Sequence, residues 1–205
     1  RPTDMRDRSV VELQKRFDVD LVQAQRVARS ALWLYDQICA TSEPADELRR
    51  ELGWAAVLHE MGMLVSHHDH HRHSAYLLAH VDAAGFSQSQ QRRLGALVLG
   101  QRGGLRKCEM ALTDPVFARQ LLCLRLAVIA CHRRDDPDMQ GWRLRVRNGT
   151  AELDVDGQST PDPRTQYLLR EEATRWERSP SVSFRLRALA NGNSAALTAC
   201  QVNAR

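Results

Sequence analysis

Six of the eight histidines fall within fifteen positions, at His59, His67, His68, His70, His71 and His73, and Glu60 stands beside the first of them. Imidazoles close to a carboxylate can hold zinc, manganese or iron, and a divalent ion so held can activate water against a phosphoester. A metal here would draw on His59, Glu60, His67, His71 and His73. A histidine-rich tract is a compositional signal, however, and its plainer reading is a packed helical His59 followed by solvated loop histidines with no metal. The second chemistry on offer is anion binding. Of the 29 basic residues 27 are arginines, whose forked guanidinium groups match phosphate oxygens, and Lys15 and Lys107 are the only lysines. Arg72 between His71 and His73, Arg92-Arg93, Arg102, Arg106-Lys107 and Arg133-Arg134 all fall in or near expected helix ends, where free N–H groups also favour anions. No Gly-x-Ser-x-Gly elbow or P-loop occurs, and Gly100-Gln101-Arg102-Gly103-Gly104 lacks the Lys-Ser/Thr that nucleotide phosphates need. No catalytic residue is assigned within this chain.

The elements that must position these groups are mostly helical. Ser9 with Glu12 has the form of a capping box, and Ala24, Val27, Ala31, Leu34 and Ile38 mark one face of a longer helix. After the Thr41-Ser42-Glu43-Pro44 punctuation, Leu48, Leu52, Ala55, Leu58 and Met61 continue at helical spacing to Gly62-Met63. A histidine-dense loop, a helix over His73 to Val81, a Ser87/Gln90 capping box and an apolar helix from Asp114-Pro115 through Cys131 follow. Beyond Pro137 the period becomes two. Trp142, Leu144 and Val146 alternate with arginines, Asn148-Gly149 turns the chain into Leu153 and Val155, Asp162-Pro163 caps another helix, and Val182, Phe184 and Leu186 alternate again. The expected fold is mainly α: a multi-helix domain over 1–136, a small β-β-α-β domain over 137–190, and a loose tail over 191–205.

Composition narrows the class. Apolar residues make up 43% of the chain and aromatics only 5%, so the core is built from Leu, Val and Ala, which suits packed helices. Cys39, Cys108, Cys123, Cys131 and Cys200 show no paired zinc spacing and are expected to be reduced thiols. A net charge of +4 does not by itself identify a nucleic-acid binder, and few aromatics interleave with the basic residues, so RNA binding ranks last. No apolar run reaches membrane-span length and no leader opens the chain, so a cytoplasmic location without membrane contact is expected. The charged opening, Arg1 to Arg8 without an initial Met, reads as the end of a linker in a fragment cut at a domain boundary.

Several segments in order carry a resemblance. They are Arg8-Ser9-Val10-Val11-Glu12-Leu13 with Phe17-Asp18-Val19-Asp20, then Gln25-Arg26-Val27-Ala28 with Leu34-Tyr35-Asp36-Gln37. Trp54-Ala55-Ala56-Val57-Leu58-His59-Glu60-Met61-Gly62, His71-Arg72-His73-Ser74-Ala75-Tyr76-Leu77-Leu78, Gly85-Phe86-Ser87 and Leu97-Val98-Leu99-Gly100 follow. Together they resemble the C-terminal region of the exopolyphosphatase and guanosine pentaphosphate phosphatase (Ppx/GppA) family, most like an exopolyphosphatase, over about residues 6 to 189. The resemblance implies an HD-like helical domain. Active HD phosphohydrolases place a His before an Arg-Val pair, a His-Asp doublet, and an Asp in a late helix. This chain has Gln23, His59-Glu60 and Val128 there, so a reused scaffold is expected, with an unusual metal-dependent phosphohydrolase as the alternative.

The resemblance also implies that hydrolysis, with Mg, resides in N-terminal actin-like domains that nothing in this chain resembles. The C-terminal region would hold inorganic polyphosphate and support a homodimer. The expected contacts are His71, Arg72, His73, Arg92, Arg93, Arg102, Arg106, Lys107, Arg133 and Arg134, with no cofactor of its own. The C-terminal region of a guanosine pentaphosphate phosphatase is the neighbouring reading. His59 and Glu60 are expected to form a structural pair, hydrogen-bonded to the His71 to Ser74 segment and to Arg26.

Overall fold

Local chemistry fixes most element starts in the computed structural model, which describes residues 3–39 and 43–189. The Thr41-Ser42 punctuation, Cys200 and the expected tail over 191–205 lie outside the described residues. Helix α1 (Met5–Arg16) is capped by Asp4, whose carboxylate accepts from Arg6 N–H, and α2 (Leu21–Ile38) by Asp20, which accepts from Gln23 N–H. Helix α3 (Glu43–Leu58) leads into a 3-10 turn at Met61–Leu64, and α4 (His70–His80) follows. Helix α5 (Gln88–Leu99) carries the complete Ser87/Gln90 capping box expected from the sequence. Helix α6 (Pro115–Ala130), with Asp114 as cap and Pro115 in its first turn, is buried along most of its length and forms the centre of the helical part.

The β-β-α-β unit follows as expected. Strands β1 (Trp142–Arg147) and β2 (Thr150–Val155) pair antiparallel, Trp142 opposite Val155 and Arg147 opposite Thr150. Asn148 and Gly149, at φ of 49° and 74°, provide the two left-handed residues that a tight hairpin turn requires. Helix α7 (Pro163–Trp176) then crosses over, so that β3 (Ser183–Leu189) pairs parallel to β2. Trp142 and Trp176 are almost wholly buried, and buried residues of the helices and of the sheet belong to one contiguous core. Gln37 on α2 fastens the sheet to the helices: it donates to Trp142 O and accepts from Leu144 N–H.

Four local expectations need correction. Asp4, not Ser9, caps α1. Ser9 lies inside that helix and donates from Oγ to Ala84 O. Helix α3 ends at Leu58 rather than at Gly62, because the chain there turns to press Gly62 against α4, with Gly62 N–H donating to Ser74 Oγ. Helix α4 begins at His70, so His70 and His71 are buried instead of solvated. Arg26 does not pair with Glu60. It reaches Gln23 and Asp136 instead. Cys108, Cys123 and Cys131 are buried free thiols and Cys39 is a half-buried one, as expected. Among the described residues no helix is long and apolar enough to cross a membrane.

Candidate functional site

Where α7 meets the helical part, a cavity of about 460 Å³ opens between the turn after α3, the start of α4, the loop after α5, the last turns of α6 and one side of α7. Its buried residues are Gln23, His59, Glu60, His70, Gln101, Arg125 and Glu172, while Arg102, Arg134, Arg164 and Arg175 are exposed and Met63, Val128, Ile129 and Leu168 supply apolar wall. Five arginines therefore face two carboxylates, Glu60 and Glu172, and each carboxylate is engaged by one of them.

The first engagement is Arg134 on Glu60. Nη1 donates to Oε2 at 2.9 Å and Nη2 to Oε1 at 3.1 Å, while Nη2 also reaches Asp20 at 2.9 Å. Burial works against the Glu60 carboxylate, but the guanidinium outweighs it and holds the pKa below the usual range. Arg134 takes a left-handed backbone (φ 60°) in the turn after α6, three residues beyond the C-cap Cys131, with its N–H donating to Cys131 O. The second engagement is Arg125 on Glu172. Both side chains are buried, two bonds of 2.6 Å join them, and Arg125 also donates to the carbonyls of Gly100 at 2.6 Å and Gly103 at 2.8 Å. That pair fixes the loop carrying Gln101 and Arg102.

His59 is held by its neighbours rather than by a charge. Its Nδ1 lies 2.5 Å from Ala56 O, and its own carbonyl accepts from Ser74 Oγ at 3.1 Å and Gln101 Nε2 at 2.7 Å. Ser74 is the part of the expected His71 to Ser74 contact that the structure provides. Burial lowers the His59 pKa. His70 and His71 are both pushed down to about 4, first by burial and then by His59 and Arg102 beside His70, and by Lys107 and Arg102 beside His71. The unfolded chain protonates such side chains near pH 6.5, so between about pH 6.5 and 4 it binds more protons than the folded chain. Stability is then expected to fall as pH drops through that window, by on the order of 2 kcal/mol per histidine, and to be recovered above it. Thermal melts of the parent and of His71→Leu check this. If the two lose stability equally between pH 6.5 and 4.5, His71 is not responsible.

The positions at which the sequence departs from an active HD site do converge. Gln23, His59, Glu60 and Val128 all line this cavity. Their donors do not suit a metal: the Gln23 amide donates to Cys131 O and accepts from Arg26, Arg134 occupies both Glu60 oxygens, and Val128 offers no ligand atom. Among the described residues no group of three or more His, Cys, Asp or Glu could hold a metal ion. The alternative set of His59, Glu60, His67, His71 and His73 is thus not assembled.

The expected phosphate contacts are dispersed. Arg102 and Arg134 reach the cavity. Arg106 lines a neighbouring cavity of about 320 Å³ that shares Arg175 with the first and adds Arg178. Lys107 is half-buried and donates to Arg102 O, His71 is buried, Arg72 is exposed and His73 is half-buried. Arg92 is exposed on α5, whereas Arg93 is bound by Glu51, Gln120 and Asp114. Arg133 stands beside Asp135 and Asp162. Sequence reasoning passed over Gln101, Arg125, His132, Arg164 and Arg175 in the cavity wall. Arg125 alone left a signal, as a lone charge in an apolar helix that must be paired if buried.

A family model described as "Ppx/GppA phosphatase, domain III" matches residues 5–166. The chain is 30% identical over 175 residues to the guanosine-5'-triphosphate,3'-diphosphate pyrophosphatase of Photobacterium profundum, covering 84% of this chain and 35% of that protein. It is 34% identical over 156 residues to the protein of the same name from Pseudoalteromonas translucida, covering 74% of this chain and 31% of that one. The chain spans about a third of the length of these curated relatives (35% and 31%).

Proposed function

Because the chain belongs to the Ppx/GppA phosphatase family, with its domain III over residues 5–166, we propose that it engages the phosphate groups of a polyphosphorylated substrate for a catalytic half lying elsewhere in the protein. The observation that carries this reading is the charge of the α6–α7 cavity. Its carboxylates are already held by Arg134 and Arg125, so Arg102, Arg164 and Arg175 remain as exposed positive charge without an ion-pair partner among the described residues. A multiply charged anion entering there displaces counterions, as nucleic-acid phosphates do on basic proteins. Arg106, Arg175 and Arg178 against the single carboxylate Glu109 extend the positive charge into the adjoining cavity, which suits a chain of phosphates better than a single group. Hydrolysis, with its magnesium, is assigned to the actin-like half implied by the resemblance, and pairing of two subunits is a further role of this module.

Inorganic polyphosphate is the first candidate ligand. The names of both relatives favour a guanosine polyphosphate as the second. Calorimetric titration of the chain with long-chain polyphosphate, at two salt concentrations and with a chelator present, tests the reading. Micromolar binding that weakens steeply with salt is expected, together with a severalfold loss in Arg102→Gln/Arg175→Gln. Absence of binding at low salt would leave the module a brace or pairing element alone. Sedimentation of the same sample reports whether it forms dimers.

A further inference from the structure

The cavity floor holds an acceptor atom that an interior phosphate unit, which has no proton to donate, would not satisfy. Gln101 is 2% exposed, and its orientation is fixed because Nε2 donates to His59 O at 2.7 Å. Its Oε1 is left buried with no hydrogen-bond partner among the described residues. His70, 6% exposed and also in the cavity wall, has Nδ1 in the same condition. Buried polar atoms are nearly always paired, so two in one cavity wall mark a place where something else completes the bonding. An amide oxygen can only accept. Whatever completes Gln101 must therefore bring a donor, and the guanidinium groups of Arg102, Arg164 and Arg175 in the same cavity favour an anion that does so.

We propose that this cavity binds free inorganic phosphate as hydrogenphosphate, its P–OH donating toward Gln101 and its charged oxygens accepting from the surrounding arginines. The proton separates the candidates. Sulfate at neutral pH carries none, and an interior unit of a phosphate chain carries none. A terminal phosphate group, with a second pKa near 6, has mostly lost its proton by pH 7.5. Free orthophosphate keeps one. A site that satisfies a buried acceptor through that proton should reject anions lacking it, since they would leave the acceptor unpaired and place an oxygen against it. The site thereby recognises the product that a phosphatase releases, on the arginines that would also hold the end of a chain.

The test is calorimetric titration of the chain with sodium phosphate and with sodium sulfate, at matched ionic strength, pH 7.5 and with a chelator. Phosphate is expected to bind at least tenfold more tightly than sulfate, a ratio equivalent to one hydrogen bond kept or lost. Gln101→Leu should bring the two anions to within about threefold of each other. Arg102→Gln, at the exposed rim, should weaken both to a similar degree and preserve the ratio, so the test survives if the Gln101 variant folds poorly. Equal affinities in the parent chain, or no phosphate binding at tens of millimolar, would overturn the proposal. Polyphosphate binding without any preference for phosphate over sulfate would also overturn it, while leaving the chain-binding reading in place. Phosphate selectivity without any polyphosphate affinity would have the opposite meaning.

Discussion

Arg125→Met is expected to cost about 3–5 kcal/mol of stability, because it leaves the Glu172 carboxylate charged and buried without its partner. Arg125 makes four bonds: two to Glu172, one to Gly100 O and one to Gly103 O. Among the described residues only Trp176 Nε1–H, 3.1 Å from Glu172 Oε2, would remain to solvate the carboxylate. In a chain of this size such a loss corresponds to a fall in melting temperature of roughly 6–20 °C. Arg125→Met/Glu172→Leu should recover most of it, since replacing a whole buried ion pair by apolar groups is often neutral. The two carbonyls still lose their donor in that double variant. Its phosphate affinity should therefore stay low even where its melting temperature is restored, because the loop bearing Gln101 and Arg102 has lost its anchor. A single variant destabilised by less than about 1 kcal/mol would mean that the pair is more hydrated than its burial implies.

That pair also marks where sequence reading stops. Capping residues act on their immediate neighbours, which is why the starts of α5, α6 and α7 and the Asn148-Gly149 turn were legible. The start of α1 was misread because two capping signals compete there, and Asp4 captures the helix one turn before Ser9. The site was largely illegible for a different reason. Its wall is drawn from residues as far apart as Gln23 and Arg175, and each arginine had an equal claim to solvent until the packing of α7 against α6 decided which ones converge. Arg93 illustrates the same limit in reverse: among the phosphate candidates in sequence, it is spent on Glu51, Gln120 and Asp114 in the structure. The departures from an HD site could be read residue by residue. That Arg134 would engage Glu60, some seventy residues away, could not.

Gly62→Ala should be the most damaging single-methyl change near the site. A Cβ at Gly62 would collide with the amide nitrogen of Ser74, lie 2.5 Å from His70 O and 2.7 Å from His73 Cβ. Two of these three are backbone atoms of α4, so no side-chain rotation relieves them, and the helix itself must move away from the turn after α3. Overpacking of this kind typically costs 1–3 kcal/mol, and a rigid backbone neighbour places Gly62→Ala at about 3 kcal/mol or more. The movement would also stretch the bonds from Gly62 N–H to Ser74 Oγ and from Ser74 Oγ to His59 O, which set the cavity floor. Phosphate affinity is thus expected to fall severalfold in a residue that touches no ligand. Gly53→Ala is the control. It lies inside α3, and its new methyl would meet only Leu32 Cδ1 at 3.8 Å, an ordinary contact. That change should be neutral or stabilising by about 0.5–1 kcal/mol through helix propensity. Denaturant melts that find Gly62→Ala as well tolerated as Gly53→Ala would remove the close approach of the turn to α4, and with it the role of this contact in shaping the floor.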